Sequence, residues 1–108
     1  MTELTTRSQH DDFIKDNKTA IVKYSASWCN PCKTLSKVLS EMSDDELNGF
    51  KVADLDCEED EFFGLCEENK IKNLPTLIFY VDGVQVKRTS GTQTKSGLAE
   101  ITSELLKQ

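Results

Sequence analysis

Two cysteines separated by two residues are the feature of this sequence with the clearest capacity for chemistry. Cys29 and Cys32 follow a β-branched, apolar stretch over Thr19–Ala26 and precede a segment whose apolar residues recur at helical spacing. The pattern predicts a buried strand that leads into a helix, with Cys29 at the helix N-terminus. Unpaired backbone N–H groups and the positive end of the helix dipole favour a thiolate at this position.

The spacing of the two cysteines supplies a second chemical step. Two intervening residues on a helical turn bring Cys32 close beneath Cys29. A Cys29 thiolate can attack a partner's disulfide, and Cys32 can then resolve the mixed disulfide by attacking the Cys29 sulfur. Pro31 lies in the first turn, where its missing N–H would have no partner, and it stiffens the turn between the sulfurs. We therefore expect thiol–disulfide exchange.

The main alternatives are a zinc site and an inert cysteine pair in a structural domain. Cys-x-x-Cys also opens zinc motifs, and Cys57 and Cys66 could supply the remaining ligands. A four-cysteine zinc site usually has a second close pair, whereas Cys57 and Cys66 fall on different predicted elements, so we expect no metal. We expect these two residues to be buried free cysteines packing as small hydrophobic groups, in preference to a regulatory disulfide.

Length and charge narrow the classes of function. The 108 residues predict a single domain, 1–108, and the formal net charge of −6 argues against binding to nucleic acid or a membrane surface. The N-terminal segment has no apolar core of a signal peptide, and no apolar stretch approaches the ~18 residues of a membrane span. We expect a cytoplasmic protein in a reducing compartment.

The hydrophobic pattern predicts alternating helices and strands. Ser8 is expected to cap a first helix, the isolated His10 to lie on its surface, and Asp82-Gly83 to form a hairpin turn. The predicted elements are a helix over 9–17, a strand over 19–26, a helix over 29–43, a strand over 50–56, a helix over 58–69, strands over 76–81 and 84–89, and a helix after Thr94. This order indicates an α/β protein with parallel strands early, an antiparallel hairpin late and helices on both faces.

The segment Trp-Cys-Asn-Pro-Cys-Lys at 28–33 resembles the active site of the thioredoxin family, Trp-Cys-Gly-Pro-Cys-Lys. Leu-Pro-Thr at 74–76 looks like the family's cis-proline loop, and Gly83 and Gly91 match glycines of the late hairpin and the substrate groove. The resemblance extends from about Leu4 to Leu106.

The resemblance implies a thioredoxin fold, with a central mixed β-sheet flanked by helices on both faces, and a protein disulfide reductase. Cys29 would be the attacking thiolate and Cys32 the resolving thiol. A shallow substrate-binding surface would be formed by Trp28, Asn30, Pro31, Leu74, Pro75 and Gly91. Electrons would come from NADPH through a separate thioredoxin reductase, and the substrates would be disulfide-containing proteins. The chain has no cofactor-binding motif, and we expect it to act as a monomer.

Three of the departures from the family pattern bear on the chemistry of the site. Lys23 stands where many members bury an aspartate beneath the cysteines, and Asp54 stands where some carry a lysine. An unpaired buried ammonium is costly, so we expect Lys23 to pair with Asp54 or lose its proton, and to influence Cys32. The alternative is that Lys23 extends to solvent and Asp54 is a surface residue. Asn30, in place of glycine, leaves the redox potential open.

Two other functions are compatible with the sequence. The chain could be a specialised electron donor to one partner, or a non-catalytic interaction module that uses the same fold.

Overall fold

The computed structural model describes all residues, 1–108, and contains five strands and four helices. In chain order the elements are β1 (Thr2–Glu3), α1 (Arg7–Asp16), β2 (Thr19–Ser25), α2 (Asn30–Ser40), β3 (Lys51–Asp56), α3 (Asp60–Glu68), β4 (Thr76–Val81), β5 (Val84–Ser90) and α4 (Lys95–Leu106). The strands form one sheet in the order β1-β3-β2-β4-β5. β1, β2 and β3 are parallel, whereas β4 runs antiparallel to β2 and β5 antiparallel to β4. The mixed sheet predicted from the sequence is confirmed.

Strand β2 lies at the centre of the sheet and is buried along almost all of its length. Alternate residues of a strand point to opposite faces. Val22 and Tyr24 belong to a core with residues of α3, whereas Ile21 belongs to a second core with residues of α2 and α4. Helices therefore cover both faces, as the pattern predicts.

The strand directions gather three chain segments at one edge of the sheet. β2 and β3 are parallel and end opposite each other at Ser25 and Asp56. β4 is antiparallel to β2, and its first residue, Thr76, pairs with Tyr24 near the end of β2. The segments after β2, after β3 and before β4 consequently meet at the same edge.

The first helix begins earlier than the sequence suggests. Its N-cap is Thr6, not Ser8: the Thr6 side chain accepts the Gln9 N–H at 3.1 Å, and the Gln9 side chain accepts the Thr6 N–H at 3.3 Å. This reciprocal capping box satisfies two backbone donors that Ser8 alone could not reach. Strand β1 is absent from the predicted elements because two residues are too few to show an alternation of apolar and polar side chains.

The late hairpin has the predicted turn. Asp82 and Gly83 both have positive φ, 52° and 81°, which is the backbone of a two-residue type I′ turn. None of the helices combines the length and apolar character that a membrane-crossing segment requires.

His10 is buried, so its predicted surface position is wrong. Its side chain is only 4% exposed, and its Nε2 lies 2.8 Å from the Tyr24 hydroxyl. The Tyr24 hydroxyl lies 2.7 Å from that of Tyr80, which extends the hydrogen-bonded chain across the core. His10 shares the inward side of α1 with Phe13 and Ile14, which pack on the same core. Burial raises the pKa of both tyrosines, so they remain protonated donors at neutral pH.

We expect Tyr24→Phe to lower the free energy of unfolding by about 1–3 kcal/mol, because His10 and Tyr80 each lose a buried partner. Urea denaturation at pH 7 measures this difference. Tyr80→Phe is the matched control and should cost less, since the bond between His10 and Tyr24 survives. Wild-type stability in Tyr24→Phe would contradict the importance of the chain.

Candidate functional site

Cys29 and Cys32 form a disulfide at the N-terminus of α2. Cys29 is the N-cap residue, with an extended backbone, and its Sγ accepts the Cys32 N–H at 3.2 Å. Pro31 occupies the second position of the helix, where it costs no helical hydrogen bond. The segment therefore has the strand-to-helix geometry that the sequence predicts.

This geometry favours the anionic form of Cys29 once the disulfide is reduced. The sulfur is placed to accept a backbone N–H, and it lies at the positive end of the α2 dipole. Both interactions are stronger for a thiolate than for a thiol, so they lower the thiol pKa. Both features favour a thiolate at Cys29.

A groove of about 600 Å³ passes beside Cys29. We call it the active-site groove; it is lined by Trp28, Cys29, Asn30, Pro31, Cys57, Glu58, Phe63, Cys66, Glu67, Ile71, Lys72, Asn73 and Leu74. Trp28 is 65% exposed at its rim, and its indole N–H donates to Glu58 at 3.1 Å. The groove thus joins the reactive disulfide to an apolar, solvent-accessible surface.

Four of the predicted substrate-binding residues line this groove, namely Trp28, Asn30, Pro31 and Leu74. The other two, Pro75 and Gly91, lie outside its lining. The Leu74–Pro75 peptide bond is cis, as the resemblance implies. Pro75 is buried, and its carbonyl accepts the Gly91 N–H at 2.8 Å. These two residues therefore support the backbone of the loop that carries Leu74.

The other wall of the active-site groove comes from α3 and the segments just before and after it, which the sequence reasoning missed. Phe63 projects 57% exposed, while its neighbour Phe62 is buried. Glu58, Glu67 and Lys72 add charges to this wall. The one available signal was the Phe-Phe pair: on an amphipathic helix of this register, one of two adjacent aromatic residues must face outward.

Cys57 and Cys66 form a second disulfide, so their prediction as free cysteines is wrong, and no cysteine in the chain is free. Cys57 follows β3 directly, and Cys66 lies on α3 with a Cα–Cα distance of 5.9 Å. Asp56 accepts the Glu58 N–H at 2.8 Å in the turn between these elements. This turn folds α3 back over the end of β3, which residue types alone did not reveal.

Lys23 and Asp54 form the predicted ion pair. The Lys23 side chain is only 2% exposed, and its Nζ lies 2.9 Å from Asp54 Oδ1. The alternative, in which Lys23 extends to solvent, is therefore wrong. Ser25 Oγ lies 2.9 Å from the same carboxylate oxygen, a partner that the sequence reasoning did not identify. These three residues and Cys32 line one small cavity.

No cluster of metal-ligating side chains accompanies the site: nowhere do three or more His, Cys, Asp or Glu residues converge as a metal would require.

A redox disulfide that caps a helix, beside a cis-proline loop and on this mixed sheet, defines a thiol–disulfide exchange protein. Comparison with known proteins agrees. The Thioredoxin family model matches residues 1–104. The chain is 30% identical over 103 residues to the thioredoxin of Mycolicibacterium smegmatis, covering 95% of this chain and 92% of that protein.

Two further relatives are informative. The bifunctional thioredoxin reductase/thioredoxin of Mycobacterium leprae is 32% identical over 104 residues, which cover 96% of this chain and 22% of that protein. The structure of Plasmodium falciparum thioredoxin superposes with a TM-score of 0.82 at 25% identity, covering 96% of this chain and 98% of that chain. The chain belongs to the thioredoxin family, and its activity is thiol–disulfide exchange.

We expect Asp54→Ala to lower the free energy of unfolding by about 3–5 kcal/mol, because it leaves the buried Lys23 ammonium without its counter-ion. Thermal or urea denaturation gives the value. The double variant Lys23→Met/Asp54→Leu removes both charges and should unfold within about 1–2 kcal/mol of the wild type. Equal losses in the two variants would show that packing, not charge pairing, explains the effect.

Proposed function

We propose that the chain is a general protein disulfide reductase in which Cys29 attacks and Cys32 resolves. The observation that carries this assignment is the N-cap position of Cys29, whose sulfur accepts the Cys32 N–H while Cys32 lies inside the helix. A thiolate gains most from a position at the helix N-terminus. Cys32 lies in the first turn of the helix, three residues from Cys29, and is suited to an intramolecular step.

The reaction balances within the dithiol and the substrate. The Cys29 thiolate attacks one sulfur of a substrate disulfide, and the other substrate sulfur leaves as a thiolate that takes a proton. Cys32 loses its proton and attacks Cys29 Sγ, which breaks the mixed disulfide. The substrate leaves with two thiols, and Cys29–Cys32 leaves as the disulfide seen in the structure.

Substrate binding is assigned to the active-site groove. Trp28 and Leu74 offer apolar surface, while Asn30 and Pro31 form the rim beside Cys29. Pro75 and Gly91 are proposed to act by holding the Leu74 loop, since the Pro75 carbonyl is already bonded to the Gly91 N–H. An extended substrate segment next to a disulfide fits such a shallow surface.

The proposed electron donor is an NADPH-linked thioredoxin reductase, and the proposed substrates are disulfide-containing proteins. The Mycobacterium leprae relative supports this pairing, because its name joins both activities in one protein. We further propose that the chain is a single domain that acts as a cytoplasmic monomer. The net charge of −6 is consistent with a partner set that excludes nucleic acid.

Lys23 and Asp54 are proposed as positioning residues that act through Cys32. Their ion pair shares a cavity with Cys32, so the Lys23 ammonium can stabilise the thiolate that resolves the mixed disulfide. This effect concerns only the resolving step, in which Cys32 attacks. The first attack on the substrate depends on Cys29.

We expect Cys29→Ser to lose the ability to accelerate the reduction of insulin disulfides by dithiothreitol, because no nucleophile remains at the helix N-terminus. Cys32→Ser should stop after one attack and accumulate mixed disulfides, which mass spectrometry detects after an acid quench. The number of partner proteins trapped by Cys32→Ser distinguishes two functions: a general reductase should trap many proteins, whereas a specialised electron donor should trap one. Catalysis surviving in Cys29→Ser would overturn the assignment, and binding without catalysis in wild type would indicate an interaction module.

We expect Lys23→Met to shift the pH profile of insulin reduction to higher pH. Loss of the ammonium, and the Asp54 carboxylate left beside Cys32, both destabilise a Cys32 thiolate and so raise the pKa of that thiol. The rate measured across neutral and alkaline pH gives the shift. Lys37→Met is the matched control, since Lys37 is exposed near the far end of α2. An identical profile in wild type and Lys23→Met would contradict the coupling.

A further inference from the structure

The second disulfide lies in the active-site groove and not in a remote part of the fold. Cys57 and Cys66 line the same groove as Cys29. Leu74 packs against the core cluster that contains Cys57 and Cys66, and also against the cluster of Cys29 and Cys32. One side chain thus contacts both clusters. A partner bound at Cys29 faces Cys57 and Cys66 as well.

The second disulfide is at least as accessible as the first. Cys57 is 9% and Cys66 5% exposed, compared with 3% for Cys29 and 2% for Cys32. Exchange requires a thiolate to reach a disulfide sulfur, so access is a primary condition for reactivity. All four cysteines are largely buried, and the residues of the second pair are no less exposed than those of the first.

The second disulfide also anchors one wall of the groove. Cys57 is held at the end of β3 by its N–H, which donates to the Ser25 carbonyl at 2.8 Å. Cys66 lies on α3, next to Glu67 and one turn beyond Phe63. The sulfur bridge therefore ties the wall of α3 to the sheet. Opening it leaves that wall held only by non-covalent packing.

We propose that Cys57–Cys66 is a second redox-active disulfide, reduced by protein dithiols that enter the active-site groove, and that its state sets the shape of the groove. The reductant is a dithiol of the Cys-x-x-Cys class, and a second copy of this chain with Cys29 and Cys32 reduced is one such donor. The complete protein then exchanges two electron pairs instead of one.

The electron balance follows ordinary disulfide exchange. The donor thiolate attacks Sγ of Cys57, the more exposed of the two residues, and Cys66 leaves as a thiolate that takes a proton. The second donor thiol loses its proton and attacks the donor sulfur of the mixed disulfide, which frees Cys57. Two thiols appear at Cys57 and Cys66, and the donor becomes a disulfide.

The decisive experiment uses a variant in which only the second pair can react. Cys29→Ser/Cys32→Ser is purified in the oxidised form and incubated, without denaturant, in graded mixtures of reduced and oxidised dithiothreitol. Maleimide labelling and mass spectrometry count the thiols. We expect half-reduction within about a hundredfold of the ratio that half-reduces Cys29–Cys32 in wild type, or about 60 mV at 29.6 mV per tenfold. Reduced wild-type protein should also reduce the variant.

The single tryptophan of the chain reports on the groove in the same samples. The Trp28 indole N–H donates a hydrogen bond to Glu58, the residue after Cys57. The fluorescence of Trp28 should therefore change in step with the reduction of Cys57–Cys66. Circular dichroism checks that the fold is retained. Thiols that appear only with loss of the folded signal, or reduction with unchanged Trp28 emission, would overturn the proposal.

Wild type provides the second arm if the variant does not fold. Its labelling should rise from zero to four thiols, in one step or two, with the folded signal retained throughout. A single step of two thiols, with Cys57 and Cys66 labelled only after the protein is denatured, would contradict the proposal and assign the second disulfide a purely structural role. Because the variant arm lacks Cys29 and Cys32, its outcome is independent of the roles proposed for them.

Discussion

The position of β2 between a parallel and an antiparallel neighbour is the constraint on which the site depends. Its hydrogen bonds to β3 and β4 occupy both edges of the strand, and packing covers both faces. Because β3 runs with β2 and β4 against it, the segments after Ser25, after Asp56 and before Thr76 reach one edge of the sheet. Those segments carry the first disulfide, the second disulfide and the cis proline. Reversing the direction of β4 would move Pro75 to the opposite end of the molecule, so the reactive surface follows from strand direction.

Strand β2 also places a charged side chain, that of Lys23, in the buried interior. Lys23 is tolerated there because Asp54 lies directly opposite in the parallel register, with its carboxylate also within reach of Ser25. An ion pair of this kind contributes little net stability against an apolar pair of similar volume, yet losing one member is costly. We therefore connect the ion pair with Cys32, which lines the same cavity. Under the proposed mechanism, the Lys23 ammonium of this pair lies in the same cavity as the Cys32 thiol that must ionise in the resolving step.

Local patterns and distant contacts differ in how well the sequence predicts them. The strand over 76–81, the Asp82–Gly83 turn and the N-terminal position of Cys29 depend on neighbouring residues, and all were predicted. The disulfide between Cys57 and Cys66 and the burial of His10 depend on how α3 and α1 settle on the sheet. His10 needed the Tyr24 hydroxyl as a partner, and that contact joins residues on different elements. The Lys23–Asp54 pair was predictable despite its separation because the family resemblance placed both residues beneath the cysteines, and a buried ammonium there needs a counter-ion.

The two edges of the sheet are protected against further strand pairing in different ways. β1 has only two residues and so offers almost no free backbone to a neighbouring chain. β5 is longer and exposed, but it carries adjacent Lys87 and Arg88, and a register irregularity interrupts its pairing with β4 between Phe79 and Tyr80. Short edges, charge and local irregularity all oppose edge-to-edge association. Both edges of the sheet are therefore poor templates for pairing with another strand, whereas the open apolar groove lies at the end of the sheet that carries the sulfurs.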